Sequence, residues 1–344
     1  MNTEIFKLEK EHPDASAIAR CAEIINAGGL VAFPTETVYG LGADATDMLA
    51  AKKIYKAKGR PSDNPLIIHI SSPEDAEAYA HTSPEYYALA KAFMPGPLTV
   101  ILPKKDTIPS EVTGGLDSVA VRCPAHGIAH ALIKAAGVPI AAPSANISGS
   151  PSPTSASHVI ADMQGKIDAI IDGGECEIGL ESTIVKLEGQ RAILLRPGAI
   201  TADALRCVCE SVEISAAVTE GLKQDERPLS PGMKYRHYAP SSPLVLLDGD
   251  EENVEKFLSE AAKKENCVIL CYNEEIPMLK KAKLIPVGDK SDLATQGQRL
   301  FKALREADTL GGDIIYAHLP PCEGLGLALY NRMIRAAAHT VKKV

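Results

Sequence analysis

Polar and charged side chains that could do chemistry are concentrated in residues 31–70. Thr35, Glu36 and Thr37 follow a short apolar run of strand length that ends at Pro34. A stretch with helical character then brings several cations, which are Lys52, Lys53, Lys56, Lys58 and Arg60. Hydroxyls, a carboxylate and dense positive charge between apolar strands are suited to a phosphorylated substrate that also bears a carboxylate.

Each of these features also has a plain structural explanation. A glycine-rich turn is usually only a turn, and lysines on a helix usually form a solvated face. The segment Gly40-x-Gly42-x-x-Ala45 matches a loose dinucleotide-binding pattern. However, residues 34–39 separate it from the preceding apolar run, so no tight strand–turn–helix unit is expected here.

Two arginines stand where predicted strands end. Arg122 follows the apolar run 119–121, and Arg196 follows the run 193–195. Polar residues at strand ends can converge on one edge of an open α/β sheet, although a lone arginine there is more often a surface charge. We predict that Arg122 pairs with a carboxylate, because its planar fork suits bidentate contact. The cations expected to neutralise phosphates are Lys56, Lys58, Arg60 and Arg196.

The segment Ser144-x-Asn146-x-Ser148-Gly149 is suited to an anion-binding loop, in which backbone N–H groups and short side chains point at phosphate oxygens. The alternative is a Ser/Pro-rich surface loop. No G-x-x-x-x-G-K-[ST] motif occurs in the sequence, which excludes a P-loop ATPase. From the residues alone we predict a cytosolic enzyme that acts on a nucleotide and a small acid.

Composition sets limits on the class of protein. The 344 residues allow two domains, and 45% hydrophobic with 23% charged residues is an ordinary globular balance. The net charge of −8 argues against tight, non-specific nucleic-acid binding. The charged N-terminus does not look like a signal peptide, and no apolar run approaches the ~20 residues of a membrane span. We therefore expect a cytoplasmic protein.

Nothing in the cysteine and histidine spacing indicates a metal site. The eight cysteines form no C-x-x-C pair and are expected to be reduced and mostly packed inside. His126 and His130 have i, i+4 spacing but lack the glutamate of an H-E-x-x-H motif, so we expect surface or packing histidines.

The hydrophobic pattern predicts two α/β domains. The first, 1–201, combines helices with a series of strands. Residues 202–241 are predicted to be a linker, irregular from Glu210 to Ser242, that could fold back as a lid. Strands and helices alternate in 242–344, which is typical of a small parallel-sheet domain.

Four motifs together resemble the threonylcarbamoyl-AMP synthase family in its long, two-domain form. They are PTETVYGLG, KAKGRPSDNPL, APSANISGSPSPT at 142–154 and SPGMKYRHYAP at 230–240. The resemblance covers nearly the whole chain and keeps the family's order. It implies a twisted open mixed sheet with flanking helices (YrdC-like), followed by a smaller Rossmann-like parallel α/β domain.

The resemblance also implies an activity. Family members make L-threonylcarbamoyl-AMP and pyrophosphate from ATP, L-threonine and bicarbonate or CO2, with Mg²⁺ on the ATP and no organic cofactor. Such an enzyme is a nucleotidyltransferase. A separate transfer complex uses the product to form N6-threonylcarbamoyladenosine in tRNAs that decode codons starting with A. No tight nucleic-acid binding and no membrane are expected.

The family's site residues carry over onto matching positions here. Lys56, Lys58 and Arg60 are assigned to catalysis, and no general base is evident. The expected L-threonine pocket is Thr37, His69, Arg122, the backbone of Ala142, and Ser182. The expected ATP site is Arg60, Asn64, Ser118, Ser144, Ser152, Arg196 and Tyr235.

Three alternatives from other classes stay open. The first domain could be an RNA-binding or ribosome-associated factor, which the acidic charge disfavours. A carbamoyl transferase of the hydrogenase-maturation kind has a related domain, but its Cys-pair zinc segments are missing here. The second domain could be a regulatory or interaction module, since its sequence carries no catalytic constellation.

Overall fold

The structure is a computed structural model that describes residues 2–220, 237–264, 266–279 and 282–344. The chain divides into two compact units. The first comprises residues 1–148, 152–177 and 181–234, and the second comprises 235–344 with two short segments, 149–151 and 178–180. The predicted boundaries at 201/202 and 241/242 stay predictions.

The first unit is built on one large mixed sheet. Its strands are β1 (Glu4–Lys7), β2 (Val31–Phe33), β3 (Gly40–Asp44), β4 (Ile67–His69), β5 (Leu98–Pro103), β6 (Ser118–Arg122), β7 (Ile140–Ala141), β8 (Ala169–Asp172), β9 (Thr183–Glu188), β10 (Arg191–Arg196) and β11 (Ser211–Ile214). Its helices are α1 (Ala15–Asn26), α2 (Met48–Lys58), α3 (Pro84–Phe93), α4 (Ser110–Thr113), α5 (Gly127–Ala136), α6 (Ala156–Met163) and α7 (Ala202–Arg206), with 3₁₀ turns at Pro73–Ala78 and Ala216–Val218.

The strand order in this sheet is β1-β8-β2-β3-β7-β4-β6-β5-β9-β10-β11. Neighbours far apart in sequence therefore lie side by side. β4 pairs in parallel with β6, β5 pairs antiparallel with β6, and β5 pairs in parallel with β9. These four strands, β4, β6, β5 and β9, are neighbours in the middle of the sheet.

Local chemistry explains the helices next to the site. The Asp14 side chain caps α1 by accepting from the Ala17 amide at 2.9 Å. The buried face of α1 packs with α5 in one apolar cluster. Asp47 caps α2 in the same way, and Gly59, with φ of 61°, ends it in the left-handed conformation that glycine adopts without strain. Lys56 and Lys58 in its last turn suit the negative end of the helix dipole.

Strand β3 was not expected, because glycine is a poor strand former. Here Gly40 and Gly42 let the Phe33 ring and β7 approach closely. A Cβ on Gly42 would lie 2.7 Å from Ile140 Cγ2 and 2.8 Å from Phe33 Cε1. These glycines therefore allow close packing within the sheet itself.

The second unit is a five-stranded parallel sheet with helices. Its elements are β12 (Leu244–Asp248), α8 (Glu251–Lys264), β13 (Cys267–Cys271), a 3₁₀ turn (Asn273–Glu275), β14 (Lys283–Pro286), α9 (Leu293–Leu310), β15 (Ile314–His318), α10 (Gly326–Ala336) and β16 (Val341–Lys343). The strand order is β14-β13-β15-β12-β16, and all pairs are parallel. Both parts of the predicted fold class are confirmed.

One expectation about the chain after residue 201 is wrong in detail. Residues 211–214 are not irregular, since they form β11 and pair in parallel with β10 at the edge of the large sheet. No helix in the described parts of the chain is long and apolar enough to cross a membrane.

Candidate functional site

Four polar side chains lie in one row across the middle of the large sheet. In the strand register, His69 on β4 stands opposite Arg122 on β6, and Arg122 stands opposite Thr99 on β5. Ser182, directly before β9, completes the row with its Oγ 2.8 Å from Thr99 Oγ1. All four are buried. The structure thus brings His69, Arg122 and Ser182 of the expected threonine pocket together.

The turn after β2 adds two residues to this row. Thr35 Oγ1 donates to the Val38 carbonyl at 2.7 Å and lies 2.8 Å from Thr37 Oγ1, so the two hydroxyls fix the turn. Between them Glu36 reaches Arg122, with Oε1 2.8 Å from Nη2. Thr37, an expected threonine-pocket residue, is fully buried beside that ion pair.

The Ala142–Asn146 loop is held against this turn. The Ala142 amide donates to the Ile67 carbonyl at 2.9 Å, and the Ala145 amide donates to the Tyr39 carbonyl at 2.8 Å. Ser144 Oγ donates to Asn146 Oδ1 at 2.6 Å. This loop is therefore fixed at the end of β7, an inner strand of the sheet, and is not a free surface loop.

The side chains of Lys58 and Arg60 donate hydrogen bonds to backbone carbonyls around the same region. The buried Lys58 ammonium donates to the carbonyls of Ser144 and Asn146, which ties the end of α2 to the loop. Arg60 donates to the Pro65 carbonyl at 3.1 Å. Among the described residues, Asn64 Oδ1 is buried without a hydrogen-bond partner. Lys58 and Arg60 thus shape the backbone around the expected phosphate region.

Arg196 and Ser152 join the other side of the row. Arg196 donates from Nε to the Ser182 carbonyl at 3.0 Å and from Nη2 to Ser182 Oγ at 3.1 Å. Ser152 Oγ donates to Glu181 Oε1 at 2.6 Å, and both side chains are buried. Two residues expected at the ATP site therefore adjoin one expected at the threonine pocket.

Ser118 lies at the other end of β6 from Arg122, roughly 13 Å along the strand. Because Ile67 stands opposite Ala120, the register extended by two residues places Ser118 beside Pro65, whose carbonyl Arg60 holds. Ser118, Arg60 and Asn64 thus share one end of the β4–β6 pair, and His69 and Arg122 share the other.

Two expected site residues are not placed with the others. Lys56 is exposed and lines a separate basic cavity of about 710 Å³ with Arg20, Lys53 and Lys166. Its assignment to catalysis stays a prediction. Tyr235 lies outside the residues that the structure describes.

Burial and charge set the protonation of the histidines here. Burial, with the Arg122 charge adding to it, lowers the pKa of His69 to about 3, so its ring is neutral. His69 Nδ1 lies 3.3 Å from the Ile140 carbonyl, which can only accept, so Nδ1 carries the proton. Burial also lowers the pKa of His126 to about 4. Neither histidine adds positive charge at neutral pH.

Sequence reasoning pointed to Glu36 and Asn146 as polar residues of this region but did not include them in the expected site, and it missed Glu181 and Thr99. Glu181 directly precedes Ser182. Thr99 sits in an ordinary apolar strand, and only the strand register identifies it. In the described parts of the chain no group of three His, Cys, Asp or Glu residues could hold a metal ion.

Comparison with known proteins agrees with this architecture. A family model described as "Telomere recombination" matches residues 23–198, and one described as "Threonylcarbamoyl-AMP synthase, C-terminal domain" matches residues 200–338. The Escherichia coli protein YciO, 23% identical over 57% of this chain and 96% of its own, has a TM-score of 0.53 and supports the fold alone.

Full-length relatives are more similar. The threonylcarbamoyl-AMP synthase of Pyrococcus abyssi is 47% identical over 97% of this chain and 98% of its own, and that of Bacillus subtilis is 44% identical over 94% of each. The crystal structure of P. abyssi Sua5 complexed with L-threonine covers 99% of this chain and 100% of its own, with a TM-score of 0.91. The chain therefore belongs to the threonylcarbamoyl-AMP synthase family.

Proposed function

We propose that this chain is an L-threonylcarbamoyladenylate synthase, which makes L-threonylcarbamoyl-AMP and pyrophosphate from ATP, L-threonine and bicarbonate or CO2. The observation that carries the proposal is the buried row of His69, Thr99, Arg122 and Ser182 in a chain of this family. It offers one guanidinium to a carboxylate and several hydroxyls to a small polar side chain.

The threonine end of the site would work by charge and hydroxyl pairing. Arg122 would pair with the amino acid carboxylate, for which its planar fork is suited. The hydroxyls of Thr37 and Ser182 would face the substrate's own polar groups, with Ser182 held by Thr99 and Arg196. Because its ring is neutral, His69 would make hydrogen bonds to the substrate and leave the carboxylate to Arg122.

The ATP end would use cations and the fixed loop. Arg60 and Arg196 would neutralise phosphate charge, and the Ser144 loop would present short polar groups to it. Lys58 already donates to two carbonyls of that loop, so we assign it a positioning role that keeps the loop in shape.

The reaction itself is an adenylyl transfer, which makes the enzyme a nucleotidyltransferase. The threonine amine captures CO2 as a carbamate, a carbamate oxygen attacks the α-phosphorus of ATP, and pyrophosphate leaves. Chemistry of this kind depends mainly on positioning and on stabilising charge that develops on phosphate oxygens.

Magnesium would arrive with ATP as part of the substrate. Mg²⁺ usually keeps several waters, so phosphate oxygens and water would supply most of its coordination. The product would pass to a separate complex that transfers threonylcarbamoyl to tRNA, and a cytoplasmic location stays a prediction.

The test is pyrophosphate release from ATP with threonine and bicarbonate each added or omitted. Release that requires both, with the adenylate detected by mass, is the expected result. Release that ignores threonine would remove the substrate assignment. No release under any condition would favour a nucleic-acid-binding role, to be followed by salt-dependent RNA binding.

A further inference from the structure

The Glu36–Arg122 pair is incomplete in a way that needs a partner. The two side chains are only 4% and 5% exposed and make an ionic contact of 2.8 Å. Among the described residues, neither carboxylate oxygen of Glu36 has a hydrogen-bond partner, and the same holds for Nε and Nη2 of Arg122. Buried charged groups left without hydrogen bonds are costly, and native proteins rarely keep them without a reason.

Glu36 Oε1 and Arg122 Nη2 contact each other, whereas Glu36 Oε2 and Arg122 Nε have no polar partner among the described residues. The unpartnered oxygen calls for a donor, which a cation can supply, and the unpartnered N–H calls for an acceptor, which an anion can supply. An α-amino acid carries an ammonium and a carboxylate on the same carbon, so both charges arrive together and close to each other. Arg122 was assigned the carboxylate above, which leaves the ammonium facing Glu36.

We propose that Glu36 binds the ammonium of the amino acid substrate and accepts its proton, which makes it the general base of the reaction. This inference rests on the proposed function. An ammonium has no lone pair and cannot attack CO2, so one proton must leave first. Within the row and the turn around it, Glu36 is the carboxylate that contacts Arg122.

The step balances in protons and electrons. The ammonium gives one proton to the Glu36 carboxylate, and the freed nitrogen lone pair forms the N–C bond to CO2. One C=O π pair moves onto oxygen and gives the carbamate oxyanion, while the second N–H proton passes to water. Glu36 then returns its proton to solvent, and its charge is restored for the next turnover.

The groups around Glu36 do not titrate in the range where this proposal is tested. Besides Arg122, the groups on which the Glu36 charge acts are Lys10, Cys123, His126 and Cys176. Burial lowers the pKa of His126 to about 4 and raises that of Cys123 to about 12. Burial also raises the pKa of Cys176, and Glu177 raises that of Lys10.

The experiment compares Glu36→Gln with wild type from pH 7 to 9.5 in the pyrophosphate assay. General-base catalysis contributes about 10²–10⁴-fold, so we expect a loss of at least ~10²-fold at pH 7. The deficit should shrink at least ~10-fold by pH 9.5, because the substrate then supplies its own free amine. ATP affinity should stay within ~2-fold, and Glu36→Asp should keep part of the activity.

A second measurement tests binding without turnover. Wild type should bind threonine at least ~10-fold more tightly than 2,3-dihydroxybutyrate, in which a hydroxyl replaces the ammonium, and Glu36→Gln should lose that preference. This arm uses ligand-dependent shifts in Tm, so it also reports whether the variant is folded. If Glu36→Gln does not fold, Glu36→Asp takes its place in both arms, with a smaller loss and the same recovery expected.

The matched control is Glu275→Gln, a buried glutamate of the second unit, which should leave turnover unchanged. A Glu36→Gln variant that matches wild type at all pH values would overturn the inference, as would a loss that does not recover with pH. If wild type itself shows no threonine-dependent release, the proposed function fails first, and the two failures are thus distinguished.

Discussion

Two buried glutamates, one in each unit, face a basic side chain at the end of a strand, and they differ in how completely they are satisfied. Glu275 is 2.7 Å from His318 Nε2 through one oxygen and accepts from the Tyr272 amide at 2.7 Å through the other. The rings of Tyr272 and His318 stack at 4.4 Å. Glu36, in contrast, contacts Arg122 without a hydrogen bond.

The comparison teaches that a polar pair at a strand end is not by itself a site. A cavity of about 350 Å³ adjoins Glu275 and His318 at the carboxyl edge of the parallel sheet, where ligands often bind. However, no described residue that lines it has a buried polar atom without a partner. The hydrogen-bonded Glu275–His318 pair stabilises the second unit, whereas the Glu36–Arg122 pair is the proposed ligand-binding site.

The largest expected effect comes from removing one partner of the unsatisfied pair. Arg122→Met leaves Glu36 as an uncompensated buried charge and should cost about 3–5 kcal/mol of the free energy of unfolding. The double variant Glu36→Gln/Arg122→Met should regain most of that stability but no turnover. The measurement is urea unfolding with hydrogen exchange of the β4 and β6 amides.

The control for that series is Arg20→Met, which breaks exposed ion pairs with Glu4 and Glu23 and should hardly change the free energy of unfolding, because solvent screens such pairs. An Arg122→Met cost equal to that of Arg20→Met would mean that the Glu36 charge is solvated. The proposed difference between the two glutamate pairs would then not exist.

Breaking the satisfied pair should affect stability without affecting chemistry. Glu275→Ala leaves the Tyr272 amide and His318 without their acceptor, and we expect a loss of about 1–3 kcal/mol in the second unit. Pyrophosphate release per folded molecule should stay at the wild-type level. A fall in turnover without a fall in stability would give the second unit a direct role in the reaction.

The last expected effect concerns pH and the histidine beside Arg122. The pKa of His69 is lowered from 6.5 to about 3, so the unfolded chain binds more protons than the native one between these values. The contribution of His69 to the free energy of unfolding is therefore fully present above pH 6.5. It falls by about 1.4 kcal/mol for each pH unit below that value. His69→Gln should flatten the slope of unfolding free energy between pH 6.5 and 5, and an unchanged slope would show that His69 is not held neutral.

Much of the fold could be predicted from the sequence, because apolar runs of strand length and capped helices carry local signals. The apolar run 119–121 lies in β6, and the run 193–195 lies in β10. Strand β3 could not be predicted, since its glycines are selected by the close approach of Phe33 and Ile140. The strand propensities of single residues carry no information about that contact.

The site was predicted in part for a similar reason. His69, Arg122 and Ser182 came from the family resemblance, and the strand register brings them together. Thr99 and the partnership of Glu36 with Arg122 depend on contacts between distant segments, which no local pattern encodes. The missing information is the register of the sheet.

The row across β4, β6, β5 and β9 also has a consequence for the order of events during synthesis. Its first member, His69, leaves the ribosome well before its last, Ser182, and at ~5–20 residues per second that delay is on the order of ten seconds. Until β9 is added, Thr99 lacks its hydroxyl partner and the pocket has an open side. A nascent chain that ends before Ser182 can hold most of the sheet and still have no complete place for the amino acid.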